Sequence, residues 1–253
     1  QVLVPGRYVV SGRIDDAHLE RELVAHAARP LKIGSFSAAS NVTGIVSDVD
    51  GLSRLLHRHG ALAFWDCAAA GPYVRIDVAD RGAGGDGAGR QDAIFLSPHK
   101  FIGGPGTPGV LVVRRALVRN RVPTVPGGGT VAFVNATEHE YLHDPEHREE
   151  GGTPAILESI RAGLVFQLKD AVGADLIEAL EQSFVERAIA AWSAHPRLRI
   201  LGNRSARRLS IVSFVVLHDH TGRRERWLHH NFVVALLNDL FGIQARGGCS
   251  CAG

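Results

Sequence analysis

The sequence predicts an α/β fold, in which helices flank a mostly parallel sheet and a smaller α+β domain follows at the C-terminal end. Two patterns carry this prediction. Over the first half, apolar runs typical of strands alternate with segments in which apolar residues recur at helical spacing, which favours a parallel sheet covered by helices. Over the second half, long helical segments dominate. We place the boundary near residue 174, so that residues 1–173 form a large domain with a linking helix and residues 174–253 a small domain.

The elements of the first half can be placed one after another. Apolar residues at helical spacing predict two helices, over residues 17–28 and 48–60. Short apolar runs predict four strands, within residues 31–44 and over residues 61–66, 93–97 and 110–115. The first helix should bury one face, made of Leu19, Leu23, Val24 and Ala27. The Gly/Pro-rich turn between the last two strands is too short for a crossover, so we expect these strands to be antiparallel.

The second half begins with an irregular stretch over residues 119–152, which is rich in glycine and charge. Pro154 suits the first turn of a long helix over residues 155–173, because proline lacks an N–H that this turn leaves unpaired. The remaining predicted elements are a helix over residues 175–192, a strand over 208–218 and a helix over 229–242. Gly242 should close the last helix.

Composition and charge exclude several classes of protein. The net charge is +2 and no basic run is long, so we expect no nucleic-acid partner. No apolar stretch has the length of a membrane span, so we expect no membrane partner. Three cysteines without a secretory signal indicate a reducing compartment and hence a cytoplasmic protein, and Cys-x-Cys without a second pair argues against a metal site. The chain begins with Gln1 and contains no methionine, which predicts an internal piece of a longer protein.

Three of the predicted strands run directly into polar residues. The first leads to Asn41, the second ends at Asp66, and the third ends in Ser-Pro-His-Lys at residues 97–100. Ligands of open α/β sheets bind beyond the carboxyl ends of the strands, so these groups should converge on one site. Taken singly, each has a simpler explanation: Asn41 as a turn former, Asp66 as a helix cap and Lys100 as a solvated loop lysine.

The residue types at these strand ends point to the chemistry of pyridoxal 5'-phosphate (PLP). A desolvated lysine is a good nucleophile toward an aldehyde, and Lys100 can hold PLP in this way as a Schiff base. The cofactor also requires a carboxylate against its pyridine nitrogen, which Asp66 can supply. Its phosphate requires hydroxyl and N–H donors, which Ser97 and His99 can supply. The glycines that follow Lys100 allow close approach of the backbone.

The lysine segment SPHKFIGGPGTPGVLVV, at residues 97–113, resembles that of the class V aminotransferase family. These fold-type I PLP-dependent enzymes include cysteine desulfurases and selenocysteine lyases. Further segments resemble family motifs in the same order, namely SNVTG at residues 40–44, Asp66 in the place of the aspartate of Asp-x-Ala-Gln, and the loops GGGT and EEGGTP. The resemblance covers essentially the whole chain and implies the PLP-dependent transferase fold of type I.

The resemblance also implies a role for each of these residues. Lys100 would form the Schiff base and Asp66 would pair with the pyridine nitrogen. Asn41 would lie by the phenolic oxygen of the cofactor. Ser97 and His99 would contact the phosphate.

Two further segments bear on assembly and on reaction type. Thr153 matches a family threonine that reaches the phosphate of the neighbouring subunit, which implies a homodimer with shared sites. The segment RGGCSC, at residues 246–251, resembles the one that carries the sulfur-accepting cysteine of cysteine desulfurases. In that comparison Cys251 takes the catalytic position, and Arg246 lies near the substrate carboxylate, which a guanidinium can bind bidentately.

The leading hypothesis is a cysteine desulfurase or selenocysteine lyase that acts on a small amino acid. An aminotransferase or another PLP lyase that does not use Cys251 stays open, and so does a catalytically degenerate member that serves as a binding or scaffold subunit. The chain departs from the family pattern at Ala69, which replaces the glutamine of Asp-x-Ala-Gln and removes one hydrogen bond to the cofactor. It also starts too late to contain the family's upstream phosphate-binding loop and ring-stacking aromatic residue.

Overall fold

The computed structural model describes residues 3–5, 12–80, 86–219 and 225–248. The helices of this part are α1 (Asp16–Ala25), α2 (Val49–Arg58), α3 (Pro145–Arg148), α4 (Ile156–Val172), α5 (Ala174–Ser193) and α6 (His230–Phe241). Its strands are β1 (Ile33–Ser37), β2 (Leu62–Asp66), β3 (Ala93–Leu96), β4 (Val110–Val113), β5 (Val131–Val134), β6 (His139–Tyr141), β7 (Leu198–Ile200), β8 (Phe214–Asp219) and β9 (Arg226–Trp227). The order of elements is therefore the α/β order that the sequence predicts for the first half.

The main sheet consists of β1, β2, β3 and β4, in that order across the sheet. The first three strands are parallel, with Ser37 opposite Asp66 and Asp66 opposite Phe95 at their carboxyl ends. β4 runs antiparallel to β3, which confirms the expectation drawn from the short turn between them. Parallel strands end at the same edge of a sheet, so the polar residues after β1, β2 and β3 all lie on one side of it.

The core beneath this sheet follows from two residue patterns. Leu52, Leu55 and Leu56 of α2 lie at positions i, i+3 and i+4 of the helix and are buried. Burial alternates along β2, so Ala63 and Trp65 join the same buried cluster. The indole N–H of Trp65 donates to the Ser53 hydroxyl at 2.9 Å, which satisfies the one polar atom of that ring. Burial of large apolar side chains stabilises a fold by roughly 1.5–3 kcal/mol each, so this contact fixes the central strand.

The amino end of β3 is anchored by Asp92, a buried acid just before the strand. Its Oδ2 lies 2.9 Å from the Ala63 amide nitrogen and 2.8 Å from His57 Nε2, and its Oδ1 accepts a 2.8 Å hydrogen bond from Arg114. Burial raises the pKa of Asp92, but these hydrogen bonds, with that of Arg114 the strongest, outweigh burial and leave the pKa below its ordinary value. The acid thus joins α2, β2 and the end of β4 to β3.

The second part of the chain contains α4 and α5 and a three-stranded antiparallel sheet of β7, β8 and β9. Gly173, with a φ of 91°, separates α4 from α5. The domain boundary near residue 174 stays a prediction. The loop before β8 lies against the loop after β1, because the Leu209 N–H donates to the Gly44 carbonyl oxygen at 2.8 Å. The C-terminal part therefore touches the main sheet close to the end of its first strand.

The stretch at residues 119–152, expected to be irregular, contains regular structure. β5 and β6 pair as an antiparallel hairpin, and α3 follows. The turn between the strands is held by Asn135, whose Oδ1 accepts hydrogen bonds from the Thr137 N–H (2.8 Å) and the Glu138 N–H (2.7 Å). An asparagine that binds the backbone two or three residues on replaces a backbone turn. The prediction of an irregular stretch was wrong, because a single asparagine turn between two short strands is hard to distinguish from a loop in the sequence.

Three element ends also differ from the prediction. Pro154 precedes the first turn of α4, whose N-cap is Ala155. α1 ends at Ala25 and not at residue 28, and of its predicted apolar face Leu23 is buried whereas Val24 is 59% exposed. β8 begins at Phe214, since the residues before it bind the loop after β1. Gly242 does close α6, in the left-handed conformation that the sequence predicts. None of the helices described here is long and apolar enough to cross a membrane.

Candidate active site

The carboxyl edge of the main sheet places Asp66 at its centre. β1 and β3 flank β2, so Ser37 and Phe95 are the register neighbours of Asp66. The ladder continues past the strands, since the Ala38 N–H donates to the Asp66 carbonyl oxygen (2.8 Å) and the Cys67 N–H to that of Phe95 (2.9 Å). The residue is therefore held by backbone hydrogen bonds on both sides, at the position where such sheets bind ligands.

Four of the residues singled out in the sequence line one cavity of about 500 Å³ at this edge: Asn41, Asp66, Lys100 and Arg246. Ala69, which replaces the family's glutamine, lines the same cavity. The volume lies within the range of about 300–1,000 Å³ that is usual for small-molecule sites. Residues that are far apart in the sequence, from the main sheet and from the segment after α6, therefore meet at one small site.

Lys100 ends a single 3-10 turn over Pro98–Lys100 that follows β3. The turn is closed by the Lys100 N–H, which donates to the Ser97 carbonyl oxygen at 3.0 Å. Phe101, the next residue, is buried. A side chain at Gly104 would collide with the Pro98 carbonyl oxygen, so the glycine permits the close approach that the sequence predicts. The lysine is thereby presented from a short, firmly anchored turn.

Asp66 makes one local hydrogen bond. Its Oδ1 accepts from the Ala68 N–H at 2.7 Å, in the manner of an aspartate that caps its own turn. The simpler explanation of this residue is thus part of the structure, but it does not account for the side chain's position on the cavity. The same hydrogen bond orients the carboxylate, because the turn that donates it is itself anchored.

Asn41 lies in the turn after β1, but the side chain that stabilises this turn is that of Ser40. The Ser40 hydroxyl oxygen accepts hydrogen bonds from the Val42 N–H (3.2 Å) and the Thr43 N–H (3.1 Å). Asn41 is exposed and lines the cavity beside Lys100. Its amide is therefore placed to interact with a bound molecule.

Ser97, His99 and Thr153 do not line this cavity. Ser97 is half-buried, and His99 and Thr153 are exposed. Thr153 lies on a pair of loops that the structure brings together, since the Gly152 N–H donates to the Gly128 carbonyl oxygen at 2.8 Å. These are the GGGT and EEGGTP loops. The phosphate-binding roles of the three residues stay predictions.

The cysteines divide into two groups. Cys249 and Cys251 lie outside the described residues, so the position of the predicted sulfur acceptor is not part of this structure. Cys67 is buried, and burial, with a smaller effect of the Asp66 charge, raises the pKa of its thiol to about 11. A thiol with such a pKa stays protonated near neutral pH and is a poor nucleophile. Cys67 is therefore a structural residue.

The sequence reasoning missed several residues of the cavity. Arg13 and Asp16 reach it from the segment around the start of α1, and Asp48 from the start of α2. Nothing in their sequence context marks them, because they meet the strand ends only in the folded chain. Asp48 had a visible local role, since its Oδ1 caps α2 by accepting from the Gly51 N–H at 3.0 Å.

The fold and the cavity together define an α/β protein with a lysine, a carboxylate and an arginine at the carboxyl edge of its sheet. The family model for aminotransferase class-V matches residues 9–253. The chain therefore belongs to the aminotransferase class-V family, as its lysine segment predicts.

The chain is also similar to curated proteins that are named as cysteine desulfurases. The chain is 31% identical over 242 residues to a probable cysteine desulfurase 2 of Mycobacterium leprae, covering 95% of this chain and 53% of that protein. It is 29% identical over 223 residues to a probable cysteine desulfurase of Halalkalibacterium halodurans, covering 87% of this chain and 49% of that protein. The chain thus spans about half the length of the curated relatives it matches.

Solved structures confirm the predicted fold. An apo cysteine desulfurase from Thermococcus onnurineus superimposes with a TM-score of 0.76 at 24% identity, covering 96% of this chain and 55% of that one. A C-DES mutant with glycine covalently linked to its PLP cofactor superimposes with a TM-score of 0.71 at 18% identity, covering 92% and 56% of the two chains. The described part of this chain shares their arrangement of a mostly parallel sheet with flanking helices.

Proposed function

We propose that this chain carries the cofactor-binding part of a PLP-dependent enzyme that acts on a small amino acid. The observation that supports the proposal most directly is the cavity that Asn41, Asp66, Lys100 and Arg246 line together. These residues supply an amide, a carboxylate, an amine and a guanidinium to one cavity. PLP and an amino acid bound together would use all four groups. A scaffold protein would need none of them there.

The residues present fit the cofactor. The cavity is large enough for a small organic molecule, and its cations, Arg13, Lys100 and Arg246, suit a ligand with phosphate and carboxylate groups. Asp66 is the carboxylate at the central strand end, and its Oδ1 is held by the Ala68 N–H. The departure is Ala69, whose methyl group offers no hydrogen bond at the cavity wall.

Each residue has a role that its chemistry permits. The amine of Lys100 would bind the aldehyde carbon of PLP, and the carboxylate of Asp66 would hold a proton on the ring nitrogen. When bound, PLP acts as an electron sink for a carbon attached to the substrate's amino group. The amine of Lys100 would also be placed to move a proton at that carbon. Arg246 would bind the substrate carboxylate through two parallel hydrogen bonds.

Cysteine desulfuration is the reaction we favour, because the curated relatives carry that name and because Cys251 follows Arg246 in the predicted sulfur-accepting segment. A selenocysteine lyase would use the same residues. Transamination or another lyase reaction is the second candidate, because Ala69 stands where the family has glutamine, and the reaction type depends on the environment of the cofactor. The homodimer with shared sites, in which Thr153 serves the neighbouring subunit, and the cytoplasmic location stay predictions.

The cofactor proposal is tested by covalent mapping. The chain contains three lysines, Lys32, Lys100 and Lys169. We expect borohydride reduction of the full-length protein with PLP, followed by peptide mapping, to place the pyridoxyl group on Lys100, and Lys100→Ala to abolish it. Lys32→Ala is the matched control, because this lysine only donates to carbonyl oxygens at the end of the α1 turn. Labelling of Lys32 or Lys169 instead would overturn the assignment.

The reaction type needs a separate assay. We expect the PLP-loaded full-length protein to release sulfur from L-cysteine, and Cys251→Ser to remove that release while leaving PLP binding intact. Cys249→Ser is the control on the same segment. Amino-group transfer from small amino acids that persists unchanged in Cys251→Ser, without any sulfur release by the wild type, would establish the second candidate.

A further inference from the structure

We propose that Lys169 is a positioning residue for the candidate active site, through which α4 holds both the Asp66 turn and the segment that carries Lys100. The proposal rests on the proposed function for its effect on cofactor binding. Lys169 belongs to a helix, lies outside the cavity lining and has no place in the chemistry assigned above. Its contacts are with the two segments that carry Asp66 and Lys100.

The ammonium group of Lys169 binds the turn that follows β2. Its Nζ donates to the Gly71 and Val74 carbonyl oxygens, each at 2.6 Å. The turn also has backbone hydrogen bonds of its own, from the Gly71 N–H to the Cys67 carbonyl oxygen (2.7 Å) and from the Tyr73 and Val74 N–H groups to the Ala70 carbonyl oxygen (2.9 and 3.1 Å). Its first residue is bonded to β3 through the Cys67 N–H. Hydrogen bonds from a charged donor are roughly twice as strong as neutral ones, so Lys169 ties residues 67–74 firmly to α4, in addition to the packing of Cys67 and Ala70 in the core.

This turn orients Asp66. The Ala68 N–H that binds Asp66 Oδ1 at 2.7 Å belongs to its first residues. If the turn moves, the donor of that hydrogen bond moves with it, and the carboxylate can rotate away from the direction it now holds. The backbone of Asp66 itself stays in the ladder with β1 and β3, so the expected effect is on the side chain and not on the sheet.

The same side chain reaches the segment after Lys100. Lys169 Nζ lies 5.8 Å from the centroid of the Phe101 ring, within the range of a cation–π contact. Phe166, one turn earlier on α4, meets Phe101 edge to face with centroids 5.2 Å apart. The Phe101 ring also borders Gly71, at which a side chain would come within 3.2 Å of it. Phe101 is therefore enclosed by α4 on one side and by the Asp66 turn on the other.

The contacts of Lys169 differ from those of an ordinary lysine on the solvent side of a helix. Lys169 is half-buried, and burial lowers the pKa of its amine. Its hydrogen-bonding partners are two carbonyl oxygens and not a carboxylate, so its charge is balanced by the carbonyl dipoles of the turn and by the Phe101 ring. Removal of the ammonium leaves both carbonyls without this donor and frees the turn from α4.

The experiment is a double-mutant cycle in the full-length protein between Lys169→Met, which keeps the apolar stem, and Asp66→Asn. Arg161→Met is the matched control, because Arg161 is also an α4 cation that donates to a backbone carbonyl oxygen, that of Pro105 at 2.9 Å. PLP affinity is measured by titration, and hydrogen exchange of peptides covering residues 67–74 is measured without cofactor. If Lys169→Met does not fold, Lys169→Gln, which keeps one amide donor, takes its place.

We expect Lys169→Met to weaken PLP binding about tenfold in the wild type but less than about twofold in Asp66→Asn, since residues that act through one hydrogen-bonded segment are strongly coupled. Exchange at residues 67–74 should rise in Lys169→Met and not in Arg161→Met. Equal effects in both backgrounds, or equal effects of Arg161→Met, would refute the positioning role. Absence of PLP binding by the wild type would overturn the proposed function instead, and the exchange measurement would still decide whether Lys169 holds the turn.

Discussion

Replacement of Asp92 by alanine tests the account of how the main sheet is anchored. The carboxylate is fully buried and binds the Ala63 N–H, His57 and Arg114. The Arg114 side chain is 44% exposed and can turn to water when the acid is lost, but the Ala63 N–H and the 14% exposed His57 cannot. Hydrogen bonds to charged groups contribute roughly 1.5–3 kcal/mol each. The two bonds that cannot be replaced predict a loss of about 3–6 kcal/mol, which overlaps the roughly 3–5 kcal/mol cost of breaking a buried ion pair.

The assay is thermal and urea unfolding at pH 7. For a chain of this size, 1 kcal/mol corresponds to a shift in Tm of roughly 2–4 °C, so Asp92→Ala should lower Tm by about 6–24 °C. Asp86→Ala is the matched control, because Asp86 also pairs with an arginine, Arg54 at 3.0 Å, but is 66% exposed. Its effect should be much smaller. A Tm change for Asp92→Ala no larger than that of the control would refute the reasoning.

The pH dependence gives an independent check on Asp92. Its pKa is lowered in the folded protein, by hydrogen bonds that outweigh burial. A carboxyl with a lowered folded pKa stabilises the fold above the unfolded pKa, which is about 3.9, and loses that contribution as the pH falls through the folded value. The difference in stability between wild type and Asp92→Ala should therefore be constant above about pH 5 and shrink below about pH 4. A difference that grew on acidification would contradict this sign.

Three further predictions concern the site and the core. Asp66→Asn should retain some PLP but lose most turnover, because an amide cannot hold the ring nitrogen's proton; near-normal activity would show that another acid does so. Leu56→Ala should destabilise the fold by about 2–5 kcal/mol in urea unfolding, because Leu56 is fully buried, whereas Leu157→Ala, at a residue 75% exposed, should have little effect. Cys67, whose pKa is raised to about 11, should resist iodoacetamide at pH 8 in the Cys249→Ser/Cys251→Ser variant until the protein is unfolded; rapid alkylation of the folded protein would be the contrary result.

Local signals account for the parts of the fold that were predicted correctly. The spacing of the α2 leucines and the alternation of buried and less buried residues in β2 indicate which faces are buried. The short turn after Lys100 requires β4 to run antiparallel to β3. Such signals work because the periods of helix and strand are properties of the backbone itself. They fail where one side chain replaces a backbone turn, as Asn135 does between β5 and β6.

The sequence predicted those residues of the candidate site that follow the ends of the parallel strands. Asn41, Asp66 and Lys100 could be grouped from the sequence, because parallel strands place their carboxyl ends on one edge. Arg246 was assigned from a motif, and the structure brings it to the same cavity. The sequence motif assigns phosphate-binding roles to Ser97, His99 and Thr153. These residues do not line the cavity, so their roles stay predictions.

By itself, the sequence determined the class of the fold and the order of the elements of the main sheet, and it singled out Lys100 and Asp66 as the candidate lysine and acid. Each of these signals lies in residues close together along the chain. Only the tertiary structure decided which distant groups support them. No local signal marks Arg13 or Asp48 as residues of the cavity, or Lys169 as a residue that binds the Asp66 turn. Their positions depend on how α1, α2 and α4 pack against the sheet. That packing is the sum of many weak apolar contacts between residues far apart in sequence, and no short stretch of the chain contains it.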